Sequence, residues 1–238
     1  SGRYIGLGAA TYVEGTGIGP FEGALVRVDE TGSIHVAIGA CPQGQGHETV
    51  FAQVAADTLS VDIEDVKVVT GDTDAIPYGW GTLASRSAVV AGSAVYQAAT
   101  KVLQKVKIAV ADEWEISPDD LLAQHGRIFV KGTPAKEITL EEVAEKFSPG
   151  GDYAQKFTPG LEEQIYWEPP TVTFASGVHI ARVAVDADTG AVEIITYIVV
   201  HDCGPLLNPQ IVDGQIAGGV AQGIGAALFE GDSGSKSL

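Results

Sequence analysis

Ala24-Leu25-Val26-Arg27-Val28-Asp29-Glu30-Thr31-Gly32-Ser33-Ile34-His35-Val36-Ala37-Ile38 reads as two apolar, β-branched runs around a turn. Apolar side chains recur at every second position, the period of a half-buried strand, and Asp-Glu-Thr-Gly supplies the carboxylate and the glycine that a tight turn takes. The segment is a β-hairpin. Beyond it, Gln43-Gly44-Gln45-Gly46-His47-Glu48-Thr49 opens a helical pattern expected over Gly46–Leu59. The succession returns later: Val178–Val185 and Ala191–Val200 flank Asp186-Ala187-Asp188-Thr189-Gly190, and Asp202-Cys203-Gly204-Pro205 leads toward a last helix. Together these predict an α+β chain of two similar hairpin-plus-helix halves, mixed sheets packed with helices. The halves are expected at 1–147 and 171–230. Between them, residues 148–170 carry Pro149-Gly150-Gly151, Pro159-Gly160 and Pro169-Pro170 and read as a loop-rich join. Hairpin-then-helix is common enough that a true duplication stays an open alternative.

The helices follow from their apolar spacing. Val95, Ala99, Val102, Val106 and Val110 form the inner stripe of a helix expected from about Val89 to Trp114, with a short strand, Val66–Val69, before it. In the last helix Asn208 is an N-cap and Pro209 a first-turn residue. Val212, Ile216, Val220, Ile224 and Leu228 make an i+4 ridge expected to face the core. The adjacent row holds Gln215, Gly219, Gly223 and Ala227. Glycine inside a helix costs about 1 kcal/mol relative to alanine, so something is expected to approach that row closely.

Composition excludes several classes. The 238 residues are 45% hydrophobic and 19% charged, and the formal charge is −17, which repels nucleic-acid backbones and anionic lipid. No apolar run is long enough to span a membrane, and no charged and apolar leader opens the chain, so the expected location is cytoplasmic. Cys41 and Cys203 are the two cysteines, too few for an iron–sulfur cluster or a four-thiolate zinc site on this chain. Their spacing to His47 and His201 fits neither a zinc site nor a Cys–His nucleophile, and no G-x-S-x-G is present. No metal ligand and no catalytic residue is assigned. The absence of methionine, even at position 1, points to a piece of something longer, and Gly231–Leu238 reads as a tail.

Three stretches carry binding chemistry. Gln43, Gly44, Gln45, Gly46 and His47 place bare backbone and two carboxamides at a helix entrance, where free N–H groups and the helix dipole favour phosphate. It is neither a P-loop nor G-x-G-x-x-G, and an ordinary strand-to-helix turn explains it equally. Thr82, Ser85, Arg86 and Ser87 offer hydroxyls and a guanidinium able to fork onto a phosphate, or form a plain helix cap with a surface arginine. Gln215 matches the donor/acceptor edge of a planar heterocycle, although close helix packing would also account for its glycines.

As an ordered series, Gln43 to Thr49, Gly71-Asp72-Thr73-Asp74 with Pro77-Tyr78-Gly79, Ala84-Ser85-Arg86-Ser87, Asp202-Cys203-Gly204, and Asn208-Pro209 to Gln215 and Gly218-Gly219 resemble the molybdenum hydroxylases. That is the xanthine dehydrogenase and aldehyde oxidase family, and in these motifs most nearly the large chain of aerobic carbon monoxide dehydrogenase. The resemblance runs from about Tyr4 to Glu230. It implies a molybdopterin-binding segment, in bacteria usually for the cytosine dinucleotide form. Gln43–His47 would lie near molybdenum and pterin, Thr82–Ser87 at the dinucleotide and Gln215 on the pterin. The pterin's own sulfurs hold the metal, so no ligand cluster is needed. The family oxidises small substrates and passes electrons through iron–sulfur clusters to flavin (FAD) on partner chains, its carbon monoxide branch using copper as well.

The departures are equally informative. Family large chains are several times longer, and their general-base glutamate lies in a Gly-Glu segment that this sequence lacks. The upstream Phe-Gly loop and the substrate-selecting loop are also absent. The chain is therefore expected to act as part of an oxidoreductase hetero-oligomer, with a second molybdopterin-binding chain or the rest of the large chain, an iron–sulfur subunit and a flavin subunit. The alternatives are a truncated cofactor-binding or assembly module without activity, and a phosphate-cleft hydrolase unrelated to molybdenum. Aldehyde, N-heterocycle, purine and carbon monoxide all remain open as substrates.

Overall fold

In a computed structural model that describes residues 2–230, the chain runs β1 (Arg3–Thr16), β2 (Glu22–Val28), β3 (Ile34–Ile38), α1 (His47–Leu59), β4 (Val66–Thr70), α2 (Gly92–Trp114), β5 (Leu121–Gln124), β6 (Arg127–Val130), β7 (Thr133–Thr139), α3 (Leu140–Phe147), α4 (Asp152–Lys156), β8 (Leu161–Trp167), β9 (Thr173–Asp186), β10 (Val192–Asp202) and α5 (Pro209–Leu228). The expected tail, Gly231–Leu238, lies outside the described residues. Both expected hairpins form. The chain divides into two compact units: Thr16–Thr173, and a second that joins the residues before Thr16 to those from Phe174 onward. β1 is thus grouped with β9 and β10.

The Thr16–Thr173 unit is built on a mixed sheet of order β4-β3-β2-β8. β2 pairs antiparallel with β3 and β8, and β3 parallel with β4. A parallel pair needs a crossover, and α1 provides it. α1 packs on β3 and β4, α2 on β2 and β8, and the two helices on each other. The alternating residues Ala24, Val26 and Val28, with Ile34, Val36 and Ile38, are buried against Phe51, Ala55 and Leu59 of α1 and Val95, Ala99, Val102, Val106 and Val110 of α2. Full burial of each larger side chain is worth about 1.5–3 kcal/mol. The stripe read on α2 is its core face. Immediately before α2, Ser87–Ala91 forms one π-helical turn.

A small antiparallel sheet, β5-β6-β7, leads into α3. There Thr139 Oγ1 accepts the Glu142 N–H at 3.1 Å while the Glu142 carboxylate accepts the Thr139 N–H at 2.7 Å. Such reciprocal capping satisfies two donors that a helix start otherwise leaves free. Residues 148–170, expected to be irregular, instead hold α4 and β8, and β8 pairs with β2 along its full length, from Val28↔Leu161 to Glu22↔Trp167. The backbone of β2 supplies the pairing that the polar run Glu162-Glu163-Gln164 does not advertise, and the Pro/Gly breaks stay at its flanks.

The other unit holds the sheet β1-β9-β10. β9 and β10 run antiparallel from Val185↔Val192 to Ser176↔Asp202, with one register shift between Ile194 and Thr196. α5 starts as expected, the Asn208 Oδ1 accepting the Ile211 N–H at 3.1 Å. Its ridge does not enter a core, contrary to the expectation. Val212, Ile216, Val220 and Ile224 are half-buried, Leu228 is exposed, and none of the helix is buried. Among the described residues this unit buries one apolar side chain, Ala184, so it has no interior for the ridge to join. Nor does anything among the described residues approach the glycine row: methyls added at Gly219 or Gly223, or at the neighbouring Gly214 and Gly218, would meet nothing within 4 Å.

Candidate functional site

Two helix starts come together in the Thr16–Thr173 unit. α1 begins at Gly46, whose φ of 73° is left-handed, and no side chain caps it. The π turn that opens the α2 helix begins after Arg86, likewise without a side-chain cap. Each start leaves backbone N–H groups without helical partners and carries the positive end of its dipole. The two are tied together. Thr82 Oγ1 donates to the Cys41 carbonyl at 2.6 Å, Gln43 Nε2 to the Thr82 carbonyl at 3.4 Å, and Ser87 Oγ to Thr82 Oγ1 at 3.5 Å.

Within the first loop, Gln43 and Gly44 are exposed and Gln45 is half-buried. The Gln43 N–H donates to Gln45 Oε1 at 2.5 Å, which folds that carboxamide back over the turn. His47 is buried, 3% exposed, its ring centroid 5.0 Å from that of Phe51. Neither ring nitrogen has a hydrogen-bond partner among the described residues. Burial lowers its pKa below the usual imidazole value, against a smaller opposing pull from the Ala40 backbone. A neutral, unsatisfied imidazole beneath a glycine-rich loop is costly to leave without a partner.

Within the second loop, Arg86 departs from its expected role. It is fully buried: Nε donates to the Ile18 carbonyl at 3.0 Å, Nη1 to the Gly81 carbonyl at 2.8 Å and to Glu22, and Nη2 to the Phe21 carbonyl at 2.7 Å. A guanidinium so engaged has left solvent altogether and does not fork onto a phosphate. Its neighbours remain available, Ser85 exposed and Thr82 and Ser87 half-buried. Ala84 and Ser85 both have left-handed φ, 46° and 51°.

Glu22, unmarked in the sequence reading, organises this loop. Its carboxylate accepts the Trp80 N–H at 3.2 Å, the Gly81 N–H at 3.0 Å and the Arg86 guanidinium. Beside it two backbones touch: a methyl on Gly39 would lie 2.7 Å from the Gly79 Cα and 2.5 Å from Glu22 Oε1. The sequence held a clue. Glu22 occupies the same inward phase of β2 as Ala24, Val26 and Val28, where a carboxylate needs a buried cation. Gln215 lies in the other unit, exposed on α5. No cluster of three His, Cys, Asp or Glu suited to a metal occurs among the described residues, and no helix there is long and apolar enough to cross a membrane.

Comparison with known proteins gives these features a common setting. Over 243 aligned residues the chain is 37% identical to the nicotine 6-hydroxylase large subunit of Paenarthrobacter nicotinovorans, covering 97% of this chain and 30% of that protein. It is 34% identical to the carbon monoxide dehydrogenase large chain of Afipia carboxidovorans, over 94% of this chain and 27% of the relative. The solved structure of reconstituted CO dehydrogenase from Oligotropha carboxidovorans superposes with a TM-score of 0.87 at 34% identity, over 94% of this chain and 29% of that one. The chain thus spans about 30% of the length of these relatives. The profile of the molybdopterin cofactor-binding domain matches residues 1–232, nearly end to end, and the chain belongs to that family.

Proposed function

We propose that the chain is the molybdopterin-binding part of a molybdenum-hydroxylase-type oxidoreductase, taking the cofactor in its cytosine dinucleotide form. The observation that carries this reading is the pair of uncapped helix starts, joined through Thr82 and backed by the unpartnered His47. Pyrophosphate needs convergent N–H donors, which the two starts offer. A pterin needs amide-like donors and acceptors, which Gln43 and Gln45 offer. The residues therefore fit the group.

When bound, the cofactor supplies two-electron redox chemistry at molybdenum. The chain's own part is to bind and orient it. In this reading Gln43–His47 face the pterin, with His47 gaining the partner it lacks among the described residues. Thr82, Ser85 and Ser87 hydrogen-bond the dinucleotide, and Gln215 meets the pterin edge across its glycine row, where open space leaves room for a flat ligand. The general base, the substrate-selecting residues and the cover of α5 come from segments or chains outside this sequence. Electrons leave through iron–sulfur and FAD subunits of a cytoplasmic hetero-oligomer.

The test is composition. The protein is purified with the chains that accompany it, and molybdenum, pterin and acid-released nucleotide are counted against polypeptide. Stoichiometric molybdenum with cytidine monophosphate is expected. Molybdenum with another nucleotide rejects the cytosine form, and absence of all three leaves a binding module without cofactor. Gln45→Ala is expected to lower cofactor content while costing about 0.5–1.5 kcal/mol of stability, the worth of one hydrogen bond.

A further inference from the structure

The buried pair Glu22–Arg86 is more elaborate than stability requires. Both side chains are fully buried. Ion pairs in that position recover their desolvation cost poorly, and apolar residues of similar size often serve stability as well or better. Yet every partner of the pair lies in two short segments. Arg86 holds the carbonyls of Ile18, Phe21 and Gly81, and Glu22 holds the N–H groups of Trp80 and Gly81. The Gly17 N–H adds a bond to the Ser85 carbonyl at 3.2 Å.

What this clamp encloses is strained. Ala84 and Ser85 are consecutive non-glycine residues at φ 46° and 51°. Such residues cost on the order of 1–3 kcal/mol each and persist only where their surroundings hold them. Arg86 returns to the right-handed region, and a π turn, itself an uncommon feature, follows at once. A left-handed residue followed by a right-handed one turns nearby N–H groups toward one concavity, a backbone nest for an anion; here the Arg86 N–H already donates to the Leu83 carbonyl at 3.1 Å, so the nest rests on the N–H groups on either side of it.

We propose that Glu22 and Arg86 are positioning residues: they contact no cofactor, and they hold Ala84–Ser87 in the strained shape that receives the nucleotide phosphates. This rests on the reading of Thr82–Ser87 as the dinucleotide subsite. The geometry accounts for a cation placed at an anion site yet withheld from the anion, since its charge is spent on Glu22 and its remaining donors on backbone carbonyls.

The test uses the full-length subunit in its native complex, with cofactor-free protein from a host unable to make molybdopterin as the stability reference. The paired replacement Glu22→Leu with Arg86→Met removes the clamp and leaves an apolar interior. Its melting temperature without cofactor is expected within a few degrees of the parent, while retained nucleotide falls roughly tenfold or more, the usual scale for losing a group that orients a ligand's contacts. A double variant of parental stability and full nucleotide content overturns the proposal. Should it fail to fold, Glu22→Gln is combined with Ala84→Gly and Ser85→Gly. Glycine adopts left-handed φ without strain, so these changes should restore nucleotide lost in Glu22→Gln, and a folded triple variant without rescue counts equally against the clamp. Ser85→Ala with Ser87→Ala separates the two readings. If that pair leaves nucleotide content and release rate unchanged, the subsite assignment fails and the clamp with it. If it lowers them while Glu22→Leu with Arg86→Met does not, the clamp alone fails.

Discussion

The two units of this chain spend their apolar residues in opposite ways. In Thr16–Thr173, the inward phases of β2 and β3 meet Phe51 and Leu59 of α1 and the valine stripe of α2, and the contact is fully dry. In the other unit β9 and β10 are longer and stay paired on either side of their one register shift, yet Ile198 is 49% and Val200 64% exposed. Its internal contacts are polar and aromatic instead. The Tyr12 hydroxyl bonds His201 Nδ1 at 2.5 Å, and the Tyr197 hydroxyl bonds His179 Nδ1 at 3.0 Å. Backbone pairing alone therefore builds a sheet, but a sheet without a covered face is not a stable body. The first unit carries its own stability and a complete pair of helix starts. The second leaves Ile198, Val200 and the whole of α5 unburied among the described residues, in a chain that spans about 30% of its relatives' length.

That contrast is open to attack at several points, the largest effects first. Phe51→Ala, in the packed unit, should cost about 3–5 kcal/mol in urea unfolding, whereas Ile198→Ala, half open to solvent, should stay within about 0.5 kcal/mol when the chain is studied alone. Equal costs would erase the distinction. Glu22→Ala, which strands the Arg86 charge in the interior, should cost a similar 3–5 kcal/mol, and the melting curve of the single variant should drop far more than that of the apolar double replacement.

Smaller effects probe the open unit. Gly219→Ala and Gly223→Ala should stabilise α5 in the chain alone by up to about 1 kcal/mol each, read as a rise in helical circular dichroism midpoint, because no atom of the described residues stands in the way. In the assembled enzyme the same changes should lower cofactor content or subunit association. Gain in one setting and loss in the other would locate the missing neighbour on that row.

The smallest effect concerns the hairpin turns, where the units are alike. Asp29 accepts from the Thr31 hydroxyl and the Thr31 and Ser33 N–H groups, and it pairs with His35 at 2.7 Å. The Thr31 hydroxyl is the main cause that holds its carboxyl well below the ordinary 3.8, with burial opposing. A carboxyl whose folded pKa is depressed contributes stability that is present above 3.8 and is lost as pH falls from there through the folded value. Asp29→Asn should therefore flatten the acid limb of the stability profile below that point and leave neutral pH less changed. Asp186, held down chiefly by the Thr189 hydroxyl, should give a weaker version of the same signature.

These turns were legible in the sequence because a carboxylate, a threonine and a glycine act within a few residues of one another. The same locality exposed α1, the stripe of α2 and the cap of α5. Legibility failed where partners lie far apart. β8 was invisible because its strand character comes from pairing with β2 and its first half holds the polar run Glu162-Glu163-Gln164. Arg86 reads in the sequence as a phosphate-binding guanidinium or a surface arginine, and not as half of a buried ion pair, because its counter-charge stands 64 positions earlier. The openness of α5 could not be read either, since an i+4 ridge records an apolar face and not whether the chain covers it.

The π turn at Ser87–Ala91 has one more consequence. A π turn fits an extra residue into a helical turn, so the long helix behind it keeps its valines facing inward whatever the residues ahead of it do. Removing one residue there would restore ordinary winding while leaving the chain on either side of the turn in its present orientation. The turn thus absorbs a one-residue change in length where it arises, so the buried valine face and the hydroxyl-bearing tip in front of it can both keep their aim.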